Sequence, residues 1–301
     1  MIYEFLYPLH TMFSSFNVFR YITFRTILAA VTALLICLFL GQRLIEGLQR
    51  LQIDQQIRED GPKTHLTKKG TPTMGGVLII FAVVISTVLW GNWGVGYVWL
   101  ALMVTIGYGL VGFLDDYRKL AGGSSRGISG KKRLAAEIVI ALFVGVVLYL
   151  QPNFSTQITI PFFKTVLPDI GWGYIPLCAF IIVGAANAVN LTDGLDGLAT
   201  GPAGICFVTY VLFAYFAGNI KTAGYLQIPY VPGAGELSVF CGAFMGAALG
   251  FLWFNSHPAE IFMGDVGSLS MGGALGTVAV ITKQEILLAI VGGVFVMETF
   301  S

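Results

Sequence analysis

Long apolar runs separated by short polar segments dominate this chain from residue 22 onward. Eight of these runs approach or reach the ~17–25 residues with which an α-helix crosses a bilayer. The pattern therefore predicts an all-α, polytopic transmembrane helical bundle with about eight complete spans. A ninth apolar run begins near Ile286 and extends only to Ser301, so we expect an incomplete ninth span. The predicted spans are Ile22–Leu40, Met74–Trp90, Val98–Leu114, Leu134–Leu150, Gly173–Val189, Leu198–Ala217, Leu237–Phe254 and Val266–Ile281.

Composition supports membrane residence. Hydrophobic residues make up 56% of the chain and charged residues 11%, whereas soluble domains carry about 25% charged residues. A water-soluble chain of this composition would have too little polar surface to cover its core. The net charge of +1 indicates no acidic partner, so we expect no nucleic-acid partner. The four cysteines have no metal-ligand spacing, and we interpret them as small buried hydrophobic residues.

Lys and Arg residues are concentrated in two loops, those after the first and third predicted spans. These loops hold twelve of the 17 basic residues. By the positive-inside rule both loops are cytoplasmic and the N-terminus lies outside, although Arg20 and Arg25 argue mildly against this orientation. Glu4 stands where a signal peptide would have a basic region, so we expect no secretory signal. The twelve residues are Arg43, Arg50, Arg58, Lys63, Lys68, Lys69, Arg118, Lys119, Arg126, Lys131, Lys132 and Arg133.

Five acidic residues fall in loops that the same topology assigns to the cytoplasmic face. Hydrophobicity alone does not require this coincidence, and ionisable groups at the ends of membrane helices are costly and usually functional. The five are Asp115 and Asp116 after the third span, Asp193 and Asp196 after the fifth, and Asp265 after the seventh.

The adjacent pair Asp115 and Asp116 follows directly on an apolar run. Neighbouring carboxylates repel each other unless a cation or a proton intervenes. This arrangement is typical of a cation site. The alternative is that the two acids only mark the exit from the membrane and pair with Arg118 and Lys119.

Residues 187–197 contain two Asn, two Asp and two Gly. On a helix, Asp193 and Asp196 would share a face, but the glycines favour a tight loop whose backbone amides could meet a phosphate. Asn190 and Thr192 add neutral donors and acceptors. A plain turn between two spans is the alternative interpretation.

A third motif has Asn255 followed by Phe262 and Asp265. Asp265 stands just before an apolar run, in the position of a helix N-cap. It could equally provide an oxygen ligand to a hard divalent cation, and the two interpretations are compatible.

A fourth motif, residues 68–76, places a basic residue, hydroxyls and glycines at the start of a span. Lys68 and Thr73 carry groups of the kind that contact phosphates. The alternative is a positive-inside charge followed by a glycine contact between helices. The motif is not a Walker A loop, because the Gly-Lys-Ser/Thr ending is absent.

These four motifs together predict phosphoryl transfer at the lipid interface. Oxygen ligands favour Mg²⁺ or Mn²⁺ over Zn²⁺, and Mg²⁺ commonly binds carboxylates together with substrate phosphates. Phosphoryl transfer requires mainly positioning and neutralisation of charge. A site at the membrane surface predicts one soluble substrate and one lipid substrate.

The motifs resemble those of the phospho-N-acetylmuramoyl-pentapeptide-transferase family, within the polyprenyl-phosphate N-acetylhexosamine-1-phosphate transferases. The resemblance runs through the whole chain, and several long motifs in order are far more specific than one. It is carried by KKGTPTMGG at 68–76, GFLDDYRK at 112–119, NAVNLTDGLDGLA at 187–199 and FLWFNSHPAEIFMGDVGSL at 251–269.

This resemblance implies transfer of phospho-MurNAc-pentapeptide from UDP-MurNAc-pentapeptide to undecaprenyl phosphate, with release of UMP. The enzyme would work in the bacterial inner membrane with its site on the cytoplasmic face, and residues 1–301 would form one transferase domain that is incomplete at the C-terminus. Asp115, Asp116 and Asp265 would be catalytic, and Asp265 would bind Mg²⁺. The substrate-binding residues would be Lys68, Thr73, Lys119, Asn187, Asn190, Asp193, Asp196, Asn255 and Phe262.

The chain departs from the family pattern because it ends before the His-rich cytoplasmic loop between the last two of about ten spans. We therefore expect the 301 residues alone to be inactive or poorly stable. Two other functions stay open: a sister enzyme that loads GlcNAc-1-phosphate onto the same lipid, and an ion-coupled transporter. A transporter would have acids near the span centres. The oligomeric state is open, with a homodimer among the alternatives.

Overall fold

The computed structural model describes residues 2–50, 71–121, 127–152, 154–161, 163 and 167–301. Within these ranges the chain forms helices and no β-strand, apart from one bridge between Gln157 and Asp169. The predicted all-α class is therefore confirmed. The α-helices are α1 (Ile2–Leu6), α2 (Ile22–Arg50), α3 (Gly76–Trp90), α4 (Gly96–Ala121), α5 (Gly130–Tyr149), α6 (Tyr174–Thr192), α7 (Thr200–Ala217), α8 (Ile220–Leu226), α9 (Leu237–Asn255), α10 (Gly264–Ile281), α11 (Leu287–Val291) and α12 (Gly293–Phe300).

Every one of the eight predicted spans corresponds to a helix. In the described part of the chain, six helices are long and apolar enough to cross a bilayer. Helix α3 is shorter, and α5 carries four charged residues in its first two turns, so their membrane crossing stays a prediction. The six are Ile22–Arg50, Gly96–Ala121, Gly171–Thr192, Thr200–Ala217, Ala234–Asn255 and Gly264–Ile281.

Helix α10 is the centre of the bundle. It packs against α3, α4, α6 and α7, and every residue from Val266 to Ile281 is buried. A helix that is apolar all round belongs in the interior, because no face is suited to water. Its N-terminal end carries Asp265, so this carboxylate is set among the ends of the surrounding helices.

Helices α2 and α9 pack so closely that glycines are required at several points of their contact. Glycines 242, 246 and 250 of α9 recur every four residues along one face. A Cβ atom at Gly246 would lie 1.9 Å from the backbone oxygen of Ala30 in α2. Small residues permit this approach, which is a common way for membrane helices to associate.

A buried ion pair joins the first span to the start of α9. The guanidinium of Arg25 donates to both carboxylate oxygens of Glu236, at 2.7 and 2.6 Å, and to the backbone oxygen of Trp90 at 3.2 Å. The Asn92 amide also donates to Glu236. Arg25 is therefore not a loop cation, which removes one of the two objections to the predicted orientation.

We expect Arg25→Met to destabilise the protein by about 3–5 kcal/mol, because removing one partner leaves the other charge buried and unpaired. The double variant Arg25→Met/Glu236→Met should recover most of this loss, although Trp90 and Asn92 then lose their partners. Thermal unfolding of the detergent-purified variants measures both effects. If the double variant lost as much stability as Arg25→Met and Glu236→Met together, the two residues would not form a stabilising ion pair.

A second polar cluster lies at the C-terminal end of α10. Lys283, which the sequence pattern assigns to a loop, is only 1% exposed and lies 3.2 Å from Glu285. Its ammonium group is 3.8 Å from the ring centre of Tyr174, whose hydroxyl donates to Glu285. Burial lowers the pKa of Lys283. These contacts tie α10 to the start of α6.

A candidate metal and phosphate site

Asp115 and Asp116 lie in the last turns of α4, not in a loop as the sequence predicts. The helix continues past the apolar run to Ala121, because straight-chain polar residues such as Arg118 and Lys119 sustain helical structure. Both carboxylates are buried, with 3% and 5% of each residue exposed. Acids that only marked the membrane exit would be exposed to solvent, so this alternative does not fit.

Asp265 reaches this pair because α4 and α10 are in backbone contact. A Cβ atom at Gly112 would lie 2.2 Å from the backbone oxygen of Asp265, so only glycine fits at that point. The side chain of Asp265 makes no capping bond, and the residue before the helix is Met263. The N-cap interpretation is therefore wrong. One carboxylate oxygen from each of Asp115, Asp116 and Asp265 lies within 4.8 Å of the other two.

Lys119 is the cation within this carboxylate cluster of Asp115, Asp116 and Asp265. Its Nζ is 2.7 Å from Asp115, 3.5 Å from Asp116 and 2.7 Å from Asp265. The amide of Ile128 donates to the second oxygen of Asp115 at 2.7 Å. The pairing of Lys119 with the adjacent acids, which the membrane-exit alternative included, is thus present, and the lysine also bridges them to Asp265.

The 187–197 motif contributes from the end of α6. The side-chain amide of Asn190 donates to Asp265 at 2.7 Å and to Ser268 at 2.8 Å. Asp193 caps α6 at its C-terminal end and begins the predicted loop, with its carboxylate close to the backbone of Gly264. Burial, helped by the negative charge of Asp265, raises the pKa of Asp193 well above its usual range. The two polar residues thus hold the start of α10.

Backbone pairing joins the 68–76 motif to the segment before α10. Phe262 donates to the backbone oxygen of Pro72 at 2.9 Å, and Gly75 donates to that of Phe262 at 2.9 Å. Thr73 is buried beside Gly264, near the carboxylate of Asp116. Lys68 lies outside the described residues, so its role in phosphate binding stays a prediction.

Of the remaining predicted residues, Asn255 is the last residue of α9, and Asp196 lies between α6 and α7, opposite the loop that follows α9. Asp196 accepts from the ring of His257 at 3.0 Å and from the Ala259 amide at 3.3 Å. Asn255 is buried, accepts from Thr200 at 2.9 Å and donates to the backbone oxygen of Ile261 at 2.9 Å. The side-chain amide of Asn255 therefore links the loop that follows α9 to the start of α7. Substrate binding by Asn255, Asp196 and Phe262 stays a prediction.

Two residues of α5 belong to the site and were not singled out as site residues. Arg133 Nη1 is 3.5 Å from Asp265, and its Nη2 donates to Asn187 at 3.3 Å. Glu137 accepts from the Asn187 amide at 2.6 Å. The sequence shows these two residues as an Arg–Glu pair four positions apart at the start of a predicted span. An acid inside an apolar run needs a partner, so this pair could have identified them.

The donor set fits a hard divalent cation. The cluster offers three carboxylate oxygens, which suit Mg²⁺, Mn²⁺ or Ca²⁺ and not soft metals. Lys119 and Arg133 offset part of the three negative charges, and a bound cation would share that role. Asp115, Asp116 and Asp265 are therefore the residues that could hold the ion.

An apolar groove of about 480 Å³ runs along α5 and α6 and ends at Asn187. Its walls include Leu134, Leu142 and Phe180. The groove thus connects the predicted bilayer region with the polar residues around Asp265.

Comparison with known proteins supports the resemblance inferred from the motifs. Residues 98–283 match glycosyl transferase family 4, and residues 68–80 match phospho-N-acetylmuramoyl-pentapeptide-transferase signature 1. All 301 residues align with three proteins named phospho-N-acetylmuramoyl-pentapeptide-transferase, and the alignment covers 84% of each of them. Identity is 71% with that of Syntrophus aciditrophicus, 59% with that of Desulfotalea psychrophila and 56% with that of Citrifermentans bemidjiense.

Proposed function

Because this chain belongs to the phospho-N-acetylmuramoyl-pentapeptide-transferase family, we propose that it transfers phospho-MurNAc-pentapeptide from UDP-MurNAc-pentapeptide to undecaprenyl phosphate. UMP is the second product. An oxygen of the lipid phosphate bonds to the phosphorus that carries the sugar. The bond between this phosphorus and the oxygen that bridges the two phosphates breaks, and UMP leaves with that oxygen. The observation that carries the proposal is the cluster of three carboxylates around Lys119, of which two are buried and the third, that of Asp265, is half-buried.

Asp115, Asp116 and Asp265 bind the cation that accompanies the donor diphosphate. Mg²⁺ bound there would supply charge neutralisation and Lewis-acid polarisation of the phosphate oxygens. Lys119 provides a second positive charge beside the same oxygens, with a third of its side chain accessible. Phosphoryl transfer needs little else from a protein, since its barrier is lowered mainly by positioning and electrostatics.

The lipid acceptor reaches this centre along the groove between α5 and α6. The apolar lining of this groove suits the part of a polyprenyl chain nearest the phosphate, and its end at Asn187 would bring a lipid phosphate near Arg133. The nucleoside binds on the other side of the cluster, near Asp193, Asp196 and Phe262. This division keeps the two substrates on either side of Asp265.

We further propose that the protein lies in the bacterial inner membrane with the site on the cytoplasmic face. Six apolar helices support membrane residence, and the concentration of Lys and Arg in two loops supports this orientation. UDP-linked substrates are soluble, so a cytoplasmic site gives them direct access.

The test is release of UMP by the protein in liposomes that contain undecaprenyl phosphate, with UDP-MurNAc-pentapeptide or UDP-GlcNAc as donor, with and without Mg²⁺. The 301-residue chain is assayed beside a version extended by the C-terminal segment of a relative. Mg²⁺-dependent release from the muramoyl donor alone supports the proposal. Release from UDP-GlcNAc instead would assign the sister reaction, and no release from either donor by the extended version would reject a transferase.

The acids organise the cation and the nucleophile in this scheme, and none needs to act as a general base. A phosphate monoester has its second pKa near about 6, so the lipid phosphate is largely dianionic at neutral pH. We therefore expect Asp115→Asn to lose a similar factor of activity at every pH from about 6.5 to 9. The kcat–pH profile of this variant beside the unsubstituted protein checks this. Recovery of activity at high pH would contradict it and identify Asp115 as a base.

A further inference from the structure

A fully buried carboxylate, that of Glu137, lies beside the cluster of Asp115, Asp116 and Asp265 without belonging to it. Glu137 is 0% exposed, and in the described part of the chain its Oε1 accepts no hydrogen bond. Taking a carboxylate out of water costs several kcal/mol unless a cation compensates it. That cation is Arg133, whose Nε lies 3.5 Å from Oε1.

Arg133 is held by acceptors on three different helices. Its Nε faces Glu137 of α5, its Nη2 donates to Asn187 of α6, and its Nη1 faces Asp265 of α10. The guanidinium group is planar and directs its donors at fixed angles, so three acceptors determine the orientation of its plane. About a quarter of the side chain, 24%, stays exposed toward the site.

Asn187 connects Glu137 to Arg133 directly. Its Oδ1 accepts from Arg133, and its Nδ2 donates to Glu137 at 2.6 Å and to the backbone oxygen of Val183 at 3.0 Å. Both ends of the amide are therefore engaged inside the protein. This geometry favours a role in holding Arg133 over the direct substrate contact that the sequence predicts for Asn187.

The backbone beneath Glu137 is also fixed. The buried hydroxyl of Tyr108 in α4 donates to the backbone oxygen of Glu137 at 2.9 Å. The carboxylate thus projects from a point anchored to the same helix that carries Asp115 and Asp116. Its position relative to the cluster is therefore set by packing between α4 and α5.

We propose that Glu137 is a positioning residue: through Asn187 and Arg133 it holds the Arg133 guanidinium against Asp265, facing the phosphates of the substrates. Arginine is suited to this task because its fork matches two phosphate oxygens at once. The inference rests on the proposed function and deepens it, since it assigns an anion-binding group and the residues that orient it.

The test compares Glu137→Met, which keeps the volume and removes the charge, with Glu137→Gln, which can still accept from Asn187. Loss of an orienting partner typically costs about 10- to 100-fold in activity or metal affinity. We expect that loss in kcat/KM for Glu137→Met, a smaller loss for Glu137→Gln, and thermal unfolding midpoints close to that of the unsubstituted protein. Lys132→Met, a change of charge at an exposed neighbour, is the matched control and should keep full activity.

A double-mutant cycle separates positioning from a merely structural role. In an Arg133→Met background, Glu137→Met should lower kcat/KM by less than about twofold, because residues in one network are not additive. Full activity of Glu137→Met, or additive losses in the cycle, would overturn the proposal. So would a fall in activity that only follows a fall in the unfolding midpoint.

Calorimetric titration with inorganic pyrophosphate and Mg²⁺ gives a second readout that does not depend on turnover. Glu137→Met and Arg133→Met should weaken pyrophosphate binding by similar factors, and Lys132→Met should not. Unchanged binding in Glu137→Met would overturn the inference. If the extended version released no UMP from either donor, the proposed function would fail, while this titration would still decide the role of Glu137.

Discussion

Asp265→Asn is expected to lower the transfer rate by roughly 10²- to 10³-fold while leaving the fold intact. Asp265 connects helices α4, α5 and α6 at the site, because its carboxylate accepts hydrogen bonds from Lys119, Arg133 and Asn190. The asparagine keeps the shape but removes one negative charge from the proposed cation site. Charge stabilisation by a bound cation contributes several kcal/mol to such a reaction, and each 1.4 kcal/mol is about tenfold in rate.

The measurement is kcat for UMP release as a function of Mg²⁺ concentration. The variant should need more Mg²⁺ and should stay slow when Mg²⁺ is saturating. Asp169→Asn is the matched control, because it removes the same charge from an exposed residue that pairs with Thr156 in a loop distant in sequence from the site. A variant that kept more than about a tenth of the activity at saturating Mg²⁺ would exclude Asp265 from the cation site.

Gly246→Ala is expected to destabilise the protein by about 3 kcal/mol, the upper end of what overpacking usually costs. The added methyl group would meet the backbone of α2, 1.9 Å from the oxygen of Ala30. A flexible side chain could move aside, but a helix backbone cannot, so α2 and α9 must separate. Glycines 242 and 250 also lie against α2, where an added Cβ atom would come within 2.7 Å of Thr26 and of Cys37, and they would be drawn away from α2 as well.

The unfolding midpoint in detergent and the fraction of monodisperse protein measure this effect. Gly47→Ala in α2 is the control, because a Cβ atom there meets nothing within 4 Å and alanine gains up to about 1 kcal/mol of helix propensity over glycine. The molecules that still fold should retain activity, since the carboxylate cluster lies on α4 and α10. A Gly246→Ala variant as stable as Gly47→Ala would show that the contact contributes nothing.

Much of the fold could be predicted because the bilayer imposes its requirements locally. A lipid-facing or buried span must be apolar over its whole length, so the eight runs mark eight helices. The helix ends were less certain. Helix α4 continues past Leu114 to Ala121, since helical hydrogen bonding does not stop where hydrophobicity stops, and this placed Asp115 and Asp116 on a helix.

The candidate site was predicted in its parts but not in its connections. Asp115, Asp116 and Asp265 stood out because carboxylates at the ends of apolar runs are rare and costly. Their partners could not be found in this way. Lys119 and Asp265 are 146 positions apart, and nothing local in either segment states that α4 and α10 touch at Gly112.

The sequence by itself thus determined the class of the protein, the positions of its apolar helices, and the kind of chemistry that its polar motifs predict. Tertiary packing alone decided that Arg25 pairs with Glu236 and that Glu137 orients Arg133. The physical reason is that hydrophobicity reports how each residue is solvated, which is a local property. The choice of partner for a buried charge depends on which helices meet, and that is settled by the fit of their surfaces.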